Sequence, residues 1–229
     1  SSAASDVYKR QKYDKAKTLV EKMLKGENVA VITDAGTPGI SDPGEELVRQ
    51  ALEAGIKVSS VPGAAACITA LTMSGQATRR FAFEAFLPKD KKERKRVLEE
   101  LKDETRTIII YEAPHHLIKT LEELEKELDN RKITLCRELT KKYEEAHRTT
   151  IHEVLDYYKD KEPRGEYVLV LEGKTKEQVE EERKKEWENL TLEEHMQVYE
   201  EKGVSHKEAM KLVAKDRGIS KRDVYQALI

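Results

Sequence analysis

The chain has 229 residues, of which 38% are hydrophobic and 38% charged, so it can bury a core in one large domain or two smaller ones. Its formal net charge of -2 argues against a uniformly basic protein that coats nucleic acid, although such a balance can hide patches of opposite sign. The only two cysteines, Cys67 and Cys136, lack metal-binding spacing, and no apolar run approaches the roughly 18 residues of a membrane span. These features predict a soluble cytoplasmic protein with buried thiols.

The first part of the chain alternates between helix and strand patterns. Residues 1–11 show no apolar periodicity, so we expect them to be a non-native addition that replaces native sequence. A helix that ends at Gly26 is followed by the apolar run Asn28–Thr33, and a second helix is followed by the apolar run Ile56–Val61. This alternation predicts an α/β domain over residues 12–76, with both runs as parallel strands joined by crossover helices.

The loop after the first predicted strand, Asp34–Gly44, is rich in glycine and proline. Gly36 and Gly39 tolerate a positive φ, and Pro38 fixes φ and removes a backbone donor, so the loop is rigid and its backbone is open to close approach. Asp42 and Pro43 at its end predict an N-cap followed by the first residue of a helix, with Glu45 completing a capping box.

The loop after the second predicted strand, Pro62–Ala66, also consists of small residues. Loops at the carboxyl ends of parallel strands usually hold the ligand, so we expect the two loops to outline a cleft at one end of a common sheet. The chain has neither a GxGxxG nor a Walker pattern, which gives no support to dinucleotide or nucleoside triphosphate binding. Purely structural turns remain the alternative.

Residues 77–173 predict a second α/β domain with a mixed sheet. Strands are expected at FAFEAFLP, RTIIIY, KITLCREL and GEYVLVLEG, with an extended segment at EEAHRTTI. Helices are expected over Lys91–Lys102, Pro114–Leu128 and Ile151–Tyr158.

Polar residues follow two of these strands. Tyr111 and Glu112 stand at the end of one strand, where polar residues at a helix start are the alternative interpretation. Arg137 and Glu138 directly follow another strand and would face the cleft if that strand ends at the same edge, with a solvated strand end as the alternative. The adjacent pair His115–His116 is not expected to bind a metal ion, because neighbouring helical residues point about 100° apart and no carboxylates are spaced to join them.

The segment Lys89–Arg96 carries six basic and two acidic residues. Such a run on a helix is usually a solvated face, but together with Arg79 and Arg80 it could form a stripe that contacts phosphates.

Residues 174–229 predict a helical segment with opposed charges. Glu172–Glu201 carries eleven acidic and five basic residues, whereas Lys202–Ile229 carries three acidic and seven basic residues. Helices are expected over Leu192–Lys202, His206–Arg217 and Lys221–Leu228, with capping boxes at Thr191–Glu194 and Ser205–Glu208. Ala214, Gly218 and Val224 have the spacing of a helix-turn-helix.

Several segments in this order resemble the ribosomal RNA small-subunit methyltransferase I family, which belongs to the tetrapyrrole-methylase-like class of S-adenosylmethionine enzymes. They are DAGTPGISDPG, VPGAAA with ALTMSG, FEAFLP, YEAPHHL, RELTKKYEE and GEYVLVLEG. The resemblance extends from about Tyr13 to the end of the chain. It implies two α/β domains with S-adenosylmethionine bound between them, a small C-terminal helical domain, and methylation of a cytidine ribose 2′-hydroxyl in the decoding region of small-subunit rRNA. The class commonly forms homodimers.

The resemblance also implies roles for individual residues. The cofactor-binding residues would be Asp34, Gly36, Thr37, Pro38, Pro62, Gly63, Ala64, Ala65, Ala66, Tyr111, Glu112, Ala113, Gly165 and Glu166. For the chemistry we expect Glu138 to accept the proton and Arg137 or Lys141 to assist electrostatically. The 30S particle would be held by Arg79, Arg80, Lys89, Lys91, Lys92, Arg94, Lys95, Arg96, Lys221 and Arg222, and no metal ion is expected.

One feature departs from the family. Its members open with a strand and a Pro/Gly loop of the type ATPIGN, and nothing similar precedes Tyr13, so we expect that one or two βα units are missing. Two alternatives remain open from the sequence. The acceptor could be a tetrapyrrole or a protein side chain, or the chain could be a noncatalytic RNA-binding module.

Overall fold

The computed structural model describes residues 14–41 and 44–228. The chain divides into two compact units, one comprising the described residues up to Lys102 with Arg106–Glu172, and the other Asp103–Thr105 with the chain from Gly173 onward. Within the described ranges, no helix combines the length and the apolar character needed to cross a membrane. The domain boundary expected near residue 77 stays a prediction.

Three helices occupy the first part of the larger unit. They are α1 (residues 14–24), α2 (Glu45–Glu53) and α3 (Ala66–Ser74). The three helices are followed by Gly26, Gly55 and Gly75 respectively, all with positive φ. A left-handed residue ends a helix at low cost when it has no Cβ. Helix α2 has Gly44 as its N-cap, and the predicted cap residues Asp42 and Pro43 lie outside the described residues.

The two strands predicted in this part do not form among the described residues. Asn28–Thr33 and Ile56–Val61 have no regular secondary structure and make no sheet pairing, and the side chains of Ile32 and Val61 are 86% and 84% exposed. A strand is stabilised by its neighbours, and no described segment pairs with either of these two. The expectation of a parallel sheet in this part is therefore corrected.

A mixed sheet forms the centre of the larger unit, as predicted, and it has five strands because the extended segment at EAHRTT pairs as a fifth strand. Its strands are β1 (Phe81–Phe86), β2 (Thr107–Glu112), β3 (Lys132–Arg137), β4 (Glu145–Thr150) and β5 (Tyr167–Leu171). They lie in the order β1-β2-β5-β3-β4. The β1–β2 pair is parallel, and the other three pairs are antiparallel.

Helices cover both faces of this sheet. One face packs against α4 (Lys91–Leu101), α5 (Pro114–Leu128) and α6 (Ile151–Tyr157) through a large apolar core. The other face packs against α3, and Cys67 and Leu71 belong to one buried apolar cluster with Ile109 and Val170. Both cysteines are buried free thiols, and burial raises the pKa of Cys136 to about 11. The strands β2 and β5 are almost continuously apolar because they are buried on both faces.

The smaller unit is helical. It contains α7 (Lys176–Glu188), α8 (Leu192–Glu201), α9 (His206–Arg217) and α10 (Lys221–Ala227). The predicted helix-turn-helix is present, since Ala214 and Val224 are buried in its core and Gly218 is left-handed. The capping box at Thr191 is confirmed, whereas that at Ser205 is wrong, because the Glu208 carboxylate pairs with Lys211 instead.

Candidate functional site

All five strands have one terminus at the same end of the sheet, and we call this end the site edge. It is defined by Phe86, Glu112 and Arg137, where β1, β2 and β3 end, and by Glu145 and Tyr167, where β4 and β5 begin. With strands about 4.8 Å apart, the five-stranded edge spans about 19 Å. The segments after β2 and β3 lie at this same edge, which is the condition under which the sequence places Arg137 and Glu138 at the cleft.

The two small-residue loops contact each other. The backbone N–H of Thr37 donates to the carbonyl oxygen of Ala64 at 2.9 Å, and the Thr37 hydroxyl lies 3.1 Å from the same oxygen. A Cβ on Gly36 would lie 3.1 Å from this oxygen, and one on Gly63 would lie 2.9 Å from the Thr37 hydroxyl. The glycines therefore allow the two backbones to approach, while Gly36, Gly63 and Ala64 remain exposed.

The second loop is tied to the site edge through the start of α3. The backbone N–H of Cys67 donates to the Tyr111 hydroxyl at 2.9 Å. The Tyr111 ring packs edge-on against Phe83 and Phe86, at centroid distances of 5.0 and 5.8 Å. Phe86 is 55% exposed, so this aromatic cluster reaches the surface. The structure thus brings together the loops and the Tyr111–Ala113 segment, which the sequence proposed as parts of one site.

A second cluster joins the turn after β3 to the turn before β5. The backbone N–H of Glu138 donates to the Glu166 carbonyl at 3.0 Å, and the Glu166 N–H donates to Glu138 Oε1 at 2.9 Å. Lys141 Nζ bridges the two carboxylates, at 3.2 Å from Glu138 and 2.7 Å from Glu166. A Cβ on Gly165 would lie 2.6 Å from the Glu138 side chain, so a larger residue there would displace the Glu138 carboxylate.

These contacts determine the charge states in the cluster. The Glu166 N–H, followed by Lys141, lowers the pKa of Glu138. The two carboxylates raise the pKa of Lys141, with Glu166 contributing most. Glu138 is therefore ionised at neutral pH and already accepts two hydrogen bonds. The neighbouring Arg137 is directed to the edge strand, where its Nη1 lies 3.1 Å from Glu145 Oε2.

A largely buried network of hydrogen bonds connects the end of β2 to α5 and α4. Glu112 is 5% exposed and accepts from the Ala113 N–H at 2.8 Å and from the Thr120 hydroxyl at 2.5 Å. Arg94 Nη2 donates to Thr120 Oγ1 at 2.7 Å, and Arg94 Nε donates to Glu123 at 2.6 Å. Thr120 was not identified from the sequence, although a hydroxyl within the apolar stripe of α5 was the available signal.

The structure corrects two parts of the proposed RNA-contacting stripe. Arg94 has a side chain only 15% exposed and faces α5, so it does not belong to the surface stripe. Arg79 and Arg80 precede β1 and lie at the opposite end of that strand from the site edge, about 20 Å away for six residues. Exposed residues nearer the site edge are Lys89, Lys91 and Lys92, followed by Lys95 and Arg96.

The proposed contacts in the smaller unit, Lys221 and Arg222, are exposed at the start of α10. The rings of His115 and His116 lie 4.2 Å apart between centroids. In the part of the chain that the structure describes, no three histidine, cysteine or carboxylate groups come together as metal ligands would.

Comparison with known proteins decides the family. The tetrapyrrole (corrin/porphyrin) methylase family matches residues 2–155. The ribosomal RNA small subunit methyltransferase I of Bacillus subtilis is 47% identical over 91% of this chain and 71% of its own length. The enzyme of that name from Halalkalibacterium halodurans is 44% identical over 95% of this chain and 75% of its own length. The chain belongs to the ribosomal RNA small subunit methyltransferase I family.

Structural comparison supports the same fold. The crystal structure of the methyltransferase CobJ shares 20% sequence identity and a TM-score of 0.54, and the match covers 69% of this chain and 70% of that one. The family's methyl donor is S-adenosylmethionine. The residues present fit such a ligand, because the two loops present exposed main chain beside small side chains at Gly36, Gly63 and Ala64.

Proposed function

We propose that this chain methylates the 2′-hydroxyl of a cytidine ribose in the decoding region of small-subunit rRNA. The observation that carries the proposal is the site edge, where the two glycine loops, Tyr111–Ala113 and the Glu138–Glu166 cluster lie in one compact unit. The named relatives support an rRNA acceptor.

Residues of both loops and of the strand ends would hold the cofactor. The main chain of Gly36, Thr37 and Pro38 and of Pro62–Ala66 offers backbone donors and acceptors beside small side chains. Asp34, Tyr111–Ala113 and Gly165–Glu166 would complete the site. S-adenosylmethionine, when bound, supplies a methyl group on a positively charged sulfur. Because that methyl group is already activated, the main task of the protein is to orient the acceptor hydroxyl.

The acceptor hydroxyl also has to lose its proton. We propose Glu138 as the proton acceptor, with Arg137 or Lys141 as the neighbouring cation. The ionised state of Glu138 supports this role, whereas its two hydrogen bonds and lowered pKa make it a weak base. The same contacts suit a positioning role in which Glu138 holds the Gly165–Glu166 turn.

The rRNA would be held by exposed lysines and arginines. We propose that Lys89, Lys91 and Lys92 contact phosphates beside the site edge, with Lys95 and Arg96 continuing along α4. Lys221 and Arg222 would add contacts from α10. We further propose that the reaction takes place in the cytoplasm on 30S particles and that the protein is a homodimer, which light scattering in solution would test.

The deciding experiment is methylation of defined particles. The chain is incubated with S-adenosylmethionine and small ribosomal subunits from bacteria that lack the corresponding enzyme, and the rRNA is mapped by nuclease digestion and mass spectrometry. We expect one new 2′-O-methylcytidine in the decoding region. Methylation of a base, of a ribosomal protein, or of no component would contradict the proposal.

A further inference from the structure

The hydrogen bonds that connect Arg94, Thr120 and Glu112 run in one direction. A guanidinium only donates, so the Thr120 oxygen accepts from Arg94 Nη2. The single hydroxyl proton of Thr120 is donated to Glu112 Oε2. Thr120 is fully buried, so water cannot replace either partner.

This direction has a consequence for the strand end. With Oε2 occupied by Thr120, the other oxygen of Glu112 accepts from the Ala113 N–H at 2.8 Å. The Glu112 side chain thereby fixes the peptide that follows it from the face of the sheet covered by α5. The Tyr111 hydroxyl accepts from the Cys67 N–H on the other face. The Tyr111–Ala113 segment is fixed on both sides by groups that do not themselves line the cleft.

We propose that Thr120 is a positioning residue for the cofactor-lining segment Tyr111–Ala113. Its hydroxyl links Arg94 to the Glu112 carboxylate, and this carboxylate holds the Ala113 N–H in the conformation that receives the cofactor. The inference rests on the proposed function for its cofactor. It also joins this segment to α4, because Arg94 lies one turn after Lys91 on the helix that carries the proposed phosphate contacts.

The test compares Thr120→Val, which removes the hydroxyl at nearly constant shape, with Thr120→Ser, which retains it. Residue-resolved hydrogen exchange is measured at the Ala113 amide in the ligand-free chain, and S-adenosylmethionine affinity is measured by calorimetry. In Thr120→Val we expect about tenfold faster exchange and about tenfold weaker binding, the effect of one lost buried hydrogen bond. Thr120→Ser should stay within about threefold of the unmodified chain in both.

A matched control separates positioning from general destabilisation. Thr134 is also a buried threonine, and its hydroxyl donates to the Ser74 carbonyl at 3.1 Å, away from Tyr111–Ala113. Thr134→Val should lower the melting temperature comparably but leave exchange at Ala113 and cofactor affinity unchanged. If Thr120→Val fails to fold, Arg94→Met provides the second variant, since it keeps the apolar stem and removes the donor.

Several results would overturn the proposal. They are equal exchange at Ala113 in the valine and serine variants of Thr120, equal cofactor affinity in those variants, or an equal effect of Thr134→Val. If the unmodified chain binds no S-adenosylmethionine, the proposed function fails, and with it the cofactor role of Thr120. The exchange measurement then still decides whether Thr120 holds the segment.

Discussion

The carbonyl oxygen of Ala64 accepts from the backbone N–H of Thr37, 27 residues earlier in the chain, at 2.9 Å. This contact predicts that Gly36→Ala moves the two loops apart by a few tenths of an ångström, because the new Cβ would lie 3.1 Å from the same oxygen. We expect S-adenosylmethionine affinity, measured by calorimetry, to fall about tenfold.

Gly39→Ala is the matched control for this change. Gly39 has φ 83° against 79° for Gly36, so both variants carry a similar backbone cost of about 1 kcal/mol, but nothing lies within 4 Å of a Cβ on Gly39. Equal affinities in the two variants would mean that the contact between the loops does not shape the cofactor site.

The different surroundings of Arg94 and Lys92 predict opposite phenotypes. Arg94→Ala removes a largely buried partner of Glu123 and Thr120, so we expect the free energy of unfolding to fall by about 1–3 kcal/mol. Lys92→Ala should change stability by less than about 0.5 kcal/mol but reduce the salt dependence of 30S binding. Urea unfolding and binding titrations at several salt concentrations check both; an unstable Lys92 variant would contradict this placement.

The helix starts at Thr191 and Ser205 provide a paired test of capping. The Thr191 hydroxyl accepts from the Glu194 N–H at 3.1 Å, whereas Ser205 makes no side-chain cap. Thr191→Ala should therefore destabilise the helical unit by about 1 kcal/mol, and Ser205→Ala should have almost no effect. Thermal unfolding followed by circular dichroism distinguishes them, and equal shifts would refute the assignment.

His195 predicts a pH-dependent stability of the helical unit. It is fully buried and stacks on Trp187 at 4.0 Å, and Arg217 Nε donates to its Nδ1 at 3.1 Å. Burial, followed by the charge of Arg217, lowers the pKa of His195. Below pH about 6.5 this histidine binds a proton in the unfolded chain more readily than in the folded chain. The free energy of unfolding should therefore fall as the pH decreases through this value.

The measurement is urea unfolding at several pH values, followed by the fluorescence of Trp187, the only tryptophan in the chain. His195→Gln should reduce the loss of stability between about pH 7.5 and 5.5. His206→Gln gives the comparison for an exposed histidine, whose Nδ1 lies 2.5 Å from Glu200 Oε1. An unaltered profile in the His195 variant would exclude this histidine as the source.

Glu138→Gln distinguishes a proton acceptor from a positioning group. If Glu138 accepts the proton, kcat should fall about 100-fold, and by a similar factor from about pH 6 to 9, because its lowered pKa keeps it ionised there. If it only holds the Gly165–Glu166 turn, the glutamine oxygen can still accept from the Glu166 N–H, and most of kcat should remain. Single-turnover kinetics on 30S particles would measure the difference.

Local patterns predicted most of the elements. Helix α5 has the expected bounds, because Pro114 opens it and its buried leucines repeat at helical spacing. Strand β4 was expected only as an extended segment, since an edge strand such as EAHRTT lacks the apolar alternation of a covered one.

The predictions that failed depend on contacts between distant parts of the chain. Asn28–Thr33 and Ile56–Val61 have the composition of strands, but strand formation depends on a partner elsewhere in the chain. Arg94 was grouped by charge with its neighbours, although it stands four residues before Leu98 and seven before Leu101 and so shares their buried face. The proposed roles of individual site residues remain predictions.

The position of β5 has a consequence for biosynthesis. This strand is the last of the five to be translated, yet it lies between β2 and β3. Until it emerges from the ribosome, the β1–β2 and β3–β4 pairs have no strand to join them, and Glu138 lacks its partner Glu166. A nascent chain therefore cannot complete the site during early elongation, and folding must wait for long-range pairing.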